Sequence, residues 1–162
     1  MLIALKDLPL TSRIWIYQSD TKLTDDQTVK ITKDLETFLT AWTAHGADLK
    51  AGFEVKYNRF IVIALDQSMT AASGCSIDSQ VRFIQSIQEE LGIDLLDKMN
   101  VTYYQNDRIH YKQLADFKKM AKDGAIGKKT IVFNNLVTNL DEYFNHWEVP
   151  AIESWHSRFL GK

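Results

Sequence analysis

The chain has 162 residues, 45% of them hydrophobic and 25% charged, with seven glycines and two prolines, which excludes a disordered or fibrous polypeptide. Its 19 basic and 21 acidic residues leave a formal net charge of −2, so no global field gathers nucleic acid or an anionic membrane. The single cysteine, Cys75, excludes an internal disulfide and a cysteine-only zinc site, and fits a reducing compartment.

Met1 to Asp7 carries no basic leader, sustained apolar core or small-residue cleavage site, so it does not read as a signal peptide. The longest apolar run, Phe60 to Leu65, is far short of the roughly 20 residues of a spanning helix. A cytoplasmic protein is the expectation.

In chain order, Arg13 to Tyr17 reads as a strand apolar on both faces, as a central strand would be. A helix follows from Thr24, which with Gln27 forms a capping box, while Asp25 and Asp26 complement the positive end. Its apolar stripe is Ile31, Leu35, Phe38, Leu39 and Trp42, and Gly46 is the expected stop. Phe53, Val55 and Tyr57 alternate with polar residues, Asn58-Arg59 interrupts, and Phe60 to Leu65 continues as a second buried strand, giving a hairpin. Ile77, Val81, Ile84, Ile87 and Leu91 then recur at helical spacing up to Gly92.

Val101 to Gln105 and Arg108 to Lys112 flank Asn106-Asp107 as a second hairpin. Leu114, Phe117 and Met120 or Ala121 mark a short helix ending near Gly124, followed by a strand at Thr130 to Asn134 and a helix from about Asn139 to Trp147 that Pro150 stops. One more helical turn falls between Glu153 and Leu160.

The order strand, helix, strand, strand, helix, strand predicts an α+β fold of ferredoxin-like βαββαβ type: an antiparallel sheet with helices on one face, its first and third strands central. These are the strands that read as doubly buried. One domain, 1–162, is expected, with a core over about 10–105 and a C-terminal strand and helix extension over about 106–162 that lengthens and covers the sheet.

In that topology one sheet edge gathers His45 after the first helix, Asp66 after the third strand, and Ser73, Gly74, Cys75, Ser76 and Asp78 around the start of the second helix. Arg13 and Arg108 are placed near the same edge. Small side chains at a helix N-terminus offer free amides to a carboxylate or phosphate, and an arginine adds a fork of donors. Arg13, Ser73, Gly74, Ser76, Asp78 and Arg108 are the candidate ligand-binding residues.

The same position also suits a thiolate nucleophile, with Cys75, His45 as base and Asp66 as acid or base as the candidate catalytic set. The structural alternative makes Ser73 or Ser76 a cap, Gly74 a turn and Cys75 a small buried hydrophobe. Asp78 is explained by the helix dipole alone, and Asp66 could equally cap a turn.

His45, His110, His146 and His156 lack any close ligand spacing, so no metal is expected, and no cofactor either. Three adjoin tryptophans, as Trp42 with His45, His146-Trp147 and Trp155-His156, and pocket lining is weighed there against ordinary packing. Between Arg108 and Thr130 the charge is +5, mostly a solvated face; a contact of single-stranded RNA with Tyr103, Tyr104 and Tyr111 is a further alternative, although nucleic acid is disfavoured overall. Gly124 to Thr130 lacks the spacing and the strand-before, helix-after context of a phosphate-binding loop, so it reads as a helix-to-strand connection.

The segments Trp42 to Gly46, Ser73 to Asp78, Leu95 to Val101, Thr130 to Leu136 and Glu153 to His156 resemble a family of short uncharacterised bacterial proteins, over nearly the whole chain. Members are often labelled ABC transporter ATPase, a label that implies a phosphate-binding loop and a longer domain, neither of which stands in this sequence. The resemblance brings no catalytic residue with it. The expectation is a noncatalytic binding or interaction domain, for a small anionic ligand or a protein partner, with a homodimer left open. The enzyme and RNA-binding readings are the alternatives.

Overall fold

The computed structural model describes residues 1–161, which form two compact units. The first comprises Met1–Leu96 with Thr138–Asp141, and the second Asp97–Val137 with the residues from Glu142 onward.

In the first unit, β1 (Arg13–Gln18) leads to α1 (Asp25–Ala41), the two-residue strands β2 (Thr43–Ala44) and β3 (Ala47–Asp48), β4 (Lys50–Lys56), β5 (Phe60–Asp66) and α2 (Gly74–Leu91). α1 starts where the capping box predicts: Gln27 N–H donates to the Thr24 hydroxyl at 3.1 Å, and the Gln27 side chain returns to the Thr24 amide at 2.9 Å. α2 ends at Gly92, in the left-handed conformation that glycine adopts without strain.

The main sheet runs β1-β5-β4, antiparallel, with β5 buried from Phe60 to Leu65. Strand alternation sends Ile61, Ile63 and Leu65 into one cluster with Trp15, Tyr17, Phe53 and Val55, Ile31, Leu35 and Leu39 of α1, and Ile84 and Ile87 of α2. Phe60, Val62 and Ala64 are buried on the other face. There the backbone of Ile3 and Leu5 and the side chain of Leu8 crowd Gly52 so closely that a Cβ at that position would collide with the Ile3 carbonyl oxygen.

The second unit contains β6 (Asn100–Gln105), β7 (Arg108–Gln113), α3 (Leu114–Lys122), β8 (Ile131–Phe133), α4 (Leu140–His146, begun in the first unit) and β9 (Glu148–Pro150), then 3-10 turns at Ala151–Glu153 and Trp155–Phe159. Its antiparallel sheet is ordered β7-β6-β8-β9. Val101, Tyr103, Val132 and Val149 share one face with Phe117 and Ala121 of α3. Asn106 and Asp107 both take positive φ, as a two-residue hairpin turn requires.

The class is therefore mixed α/β with antiparallel sheets, but the ferredoxin-like order is not completed. Three of its four strands are present as β1-β5-β4; the fourth, β6, belongs to the other unit and its sheet. β6 finds its own apolar cover in α3, and hydrophobic alternation alone does not say which sheet a strand joins. The outer edge of β1 is met by the returning segment: Ile14 N–H donates to Thr138 O at 3.1 Å, and the Leu140 and Asp141 amides donate to Ser12 O and Leu10 O at 2.9 and 3.0 Å. Of the described residues from 106 onward, only 138–141 thus extend the edge of the first sheet, while β7, β8 and β9 join β6 in the second.

Three local expectations also shift. α1 stops at Ala41, and Gly46 instead forms with His45 the tight turn between β2 and β3, at φ of 80° and 52°. Tyr57 and Asn58, rather than Asn58 and Arg59, take the left-handed turn conformations. Pro150 ends a strand, β9, which the sequence reading omitted. Among the described residues no helix is long and apolar enough to cross a membrane.

Candidate functional site

A groove of about 660 Å³ opens in the first unit between the last turns of α1 and the first turns of α2. It is lined by Thr37, Phe38, Ala41 and Trp42 from the end of α1, Thr43 and His45 from the hairpin that follows, and Ser73, Cys75, Ser76 and Ser79 from the start of α2. Two segments about 30 residues apart in sequence thereby meet in one place.

The apolar floor is fixed by rings. Phe38 stacks on Phe83 with centroids 4.4 Å apart, and Trp42 meets Trp15 edge-on at 6.0 Å. The Arg13 guanidinium lies 4.5 Å over the Trp15 ring, so Arg13 stiffens this row of rings by a cation–π contact and is not a lining residue. The Trp42 indole N–H donates to Ser76 O at 2.9 Å.

The hydroxyl side is a reciprocal cap. Ser73 Oγ accepts the Ser76 amide at 3.1 Å, the Ser73 amide donates to Ser76 Oγ at 2.7 Å, and Ser79 Oγ donates to Ser76 O at 2.8 Å. Ser73 and Ser76 are therefore committed to the helix terminus as their capping roles predict. Gly74 and Cys75 follow the cap in the first turn, where amides have no intrahelical acceptor. Cys75 is exposed, which corrects the expectation of a small buried hydrophobe.

Of the nine residues singled out in the sequence, His45, Ser73, Cys75 and Ser76 line this groove, and Gly74 lies within the same turn. Asp66, Asp78 and Arg13 do not line it. The Asp66 carboxylate accepts the Ser68 amide at 2.9 Å, and this bond together with Lys50 holds it below the usual aspartate range. A carboxylate so held is a turn former rather than a proton donor near neutral pH. Arg108 belongs to the second unit, where it heads β7 opposite Gln105.

Sequence reading missed Thr37, Phe38, Ala41, Thr43 and Ser79 as lining residues, having placed Phe38 only in the core stripe, while Trp42 was weighed beside His45 as pocket lining against ordinary packing. The available signal was the pairs Thr37/Ala41 and Phe38/Trp42, four apart at the end of a helix that stops beside a capped one.

In the second unit, β6 and β7 send the aromatic residues to opposite faces. Tyr103 is fully buried against Phe117, whereas Tyr104 lies against Phe133 and donates its hydroxyl to Glu148 at 2.9 Å. Tyr111 registers with Thr102, on the Tyr104 face, while Lys118, Lys119 and Lys122 belong to α3, which covers the Tyr103 face. The lysines and tyrosines do not share a surface. Gly124 to Thr130 connects α3 to β8, with the Gly127 amide donating to Thr130 Oγ1 at 3.0 Å. Among the described residues no group of three or more His, Cys, Asp or Glu side chains could hold a metal ion.

Comparison with protein-family models, curated proteins and solved structures gives no match.

Proposed function

We propose that the chain is a binding domain whose groove between α1 and α2 takes a small ligand, or a partner side chain, with an apolar body and an anionic end. The observation that carries this reading is that one open groove is lined both by the rings of Phe38 and Trp42 and by Ser73, Cys75 and Ser76 at the N-terminus of α2. The rings offer apolar contact area, and the helix terminus favours negative charge. A cytoplasmic location, a homodimer, a ferredoxin-like kinship in fold of the β1-β5-β4 arrangement, and membership of the short bacterial family belong to the same proposal.

Thermal-shift measurement against a panel of phosphates, nucleotides, and aliphatic and aromatic carboxylates tests it. One class with an apolar body is expected to raise Tm in a concentration-dependent way, and Cys75→Trp, which fills the groove from an exposed position, is expected to remove the shift. No shift with any member of the panel counts against the ligand reading.

A second reading, a small enzyme with Cys75 as nucleophile and His45 as base, is favoured by one observation: both side chains line the groove. Asp66 lends it no support. The pH profile of alkylation by iodoacetamide decides it, because a thiol reacting like a free cysteine peptide, unchanged in His45→Ala, removes the reading. An RNA contact through this region lacks a shared surface, since Tyr103 is buried and the lysines of α3 lie on the other side of the sheet from Tyr104 and Tyr111.

A further inference from the structure

His156 lies at the centre of the second unit's turn Trp155–Phe159 and is 0% exposed. Its ring stacks on Trp155 at 3.9 Å and meets Phe117 of α3 edge-on at 5.5 Å. Phe159 in turn packs edge-on against Phe117 at 6.3 Å. The imidazole thus joins the turn to the same core that holds Tyr103 and Ala121.

The polar contacts fix one tautomer as the best satisfied. Ser154 Oγ stands 2.6 Å from His156 Nδ1 and donates to Ala151 O at 3.3 Å. With the Ser154 proton on Ala151 O, Nδ1 carries the imidazole hydrogen and Nε2 is a bare acceptor. Nε2 is buried with no hydrogen-bond partner among the described residues. Protonation would place an N–H⁺ there with no acceptor, in a box of two aromatic rings.

The charges on the elements around it do not help a cation. Arg158, on the same turn, raises the cost of a second positive charge, and its guanidinium already lies 5.9 Å from the Trp155 centroid. Lys118 of α3 sits 5.2 Å over the Phe159 ring, and the other charged side chains of α3, Asp116, Lys119 and Lys122, are exposed, as is Glu153 on the preceding turn.

We propose that His156 is an acid-sensitive latch: neutral, it locks the Trp155–Phe159 turn onto the core of the second unit, and protonated, it releases that turn and uncovers Phe117. Burial, and after it Arg158, depress the imidazole to about 4 from its ordinary 6.5. The open form binds a proton below 6.5 and the closed form only near 4, so closure is fully favoured above 6.5 and weakens as pH falls toward 4. Between pH 7 and pH 5 the opening equilibrium rises by about 20-fold.

Native-state hydrogen exchange on the full chain, with protection factors for the Ser157 and Leu160 amides at pH 7 and pH 5, tests this directly. Those amides close the turn onto Ser154 O and Ser157 O. Their protection is expected to fall about 20-fold while that of the β6 amides falls less, and His156→Phe is expected to make it independent of pH over this range. Parallel loss of protection in the turn and in β6 would overturn a local latch, leaving only global acid unfolding. If the variant does not fold, the wild-type His156 ring carbon shift decides, and a midpoint near 6.5 with the turn still protected would also overturn the proposal.

Discussion

The indole N–H of Trp42 donates to the carbonyl oxygen of Ser76 at 2.9 Å, joining the residue that ends α1 to the first turn of α2. Both residues are buried and both line the groove, so this bond acts with the Phe38–Phe83 stack to set the spacing of its two walls. It also accounts for α1 stopping before Gly46: a helical Trp42 would carry its indole elsewhere, and its carbonyl, freed from the helix, accepts the Leu49 amide at 3.1 Å.

Trp42→Phe keeps an aromatic ring on the floor and deletes the donor. Ser76 O retains the Ser79 hydroxyl, so the loss is of one buried bond and some packing, about 1–2 kcal/mol by urea denaturation. A loss below about 0.5 kcal/mol would mean that the bond does not couple the helices.

Two glycines give opposite outcomes. Gly52→Ala drives a methyl into the Ile3 carbonyl and forces the segment before β1 off the sheet, with an expected cost of about 1–3 kcal/mol. Gly74→Ala meets open space at the first helical position and is expected to be neutral or to stabilise by up to about 1 kcal/mol. Thermal denaturation of the pair checks both.

Tyr17 carries the alkaline limit of the first unit. Its hydroxyl donates to Gln80 Oε1 at 2.6 Å inside the core, and burial pushes its pKa up to about 12 from 10. For an acid whose folded pKa is raised, the stabilisation is complete below 10 and is lost as pH rises through 12. Stability is expected to drop by about 2–3 kcal/mol across that window. Tyr17→Phe should remove this slope, while costing about 1–2 kcal/mol at pH 7 because the buried Gln80 Oε1 then loses the Tyr17 hydroxyl.

Removing the cap of α2 isolates the helix terminus from the groove. Ser73→Ala deletes the acceptor of the Ser76 amide and is expected to cost about 0.5–2 kcal/mol. Ser73→Asp should restore most of that stability while weakening any anion bound at the same turn, a separation that denaturation and ligand titration measure side by side.

Local chemistry was legible where one residue or one spacing decides the outcome: the Thr24/Gln27 box, the Gly92 stop, and the Asn106-Asp107 turn. Likewise His45, Ser73, Cys75 and Ser76 could be brought together, since three adjacent antiparallel strands and two helices already fix which ends meet. Strand partnership was not legible. Val101 and Tyr103 alternate in the same way whether they extend the first sheet or begin another, and the choice rests on Phe117 and Ala121 more than ten residues later. Asp66 misled because a carboxylate ending a buried strand looks alike whether it serves a ligand or the Ser68 amide. The Trp155-His156 pair was visible in the sequence, but the complete burial of His156, which depends on Phe117 some 40 residues earlier, was not.

The return of residues 138–141 to the edge of β1 makes the first unit discontinuous, and this bears on its synthesis. When Leu96 has been added, every other residue of that unit exists, yet the carbonyls of Leu10 and Ser12 and the amide of Ile14 still lack their partners. An unfinished chain of this kind presents the backbone of an apolar strand to any other strand nearby until some 40 further residues have been joined. A fragment ending at Leu96 is therefore a poor choice for isolating the groove, and premature termination in the second unit would yield an association-prone product rather than a smaller working one.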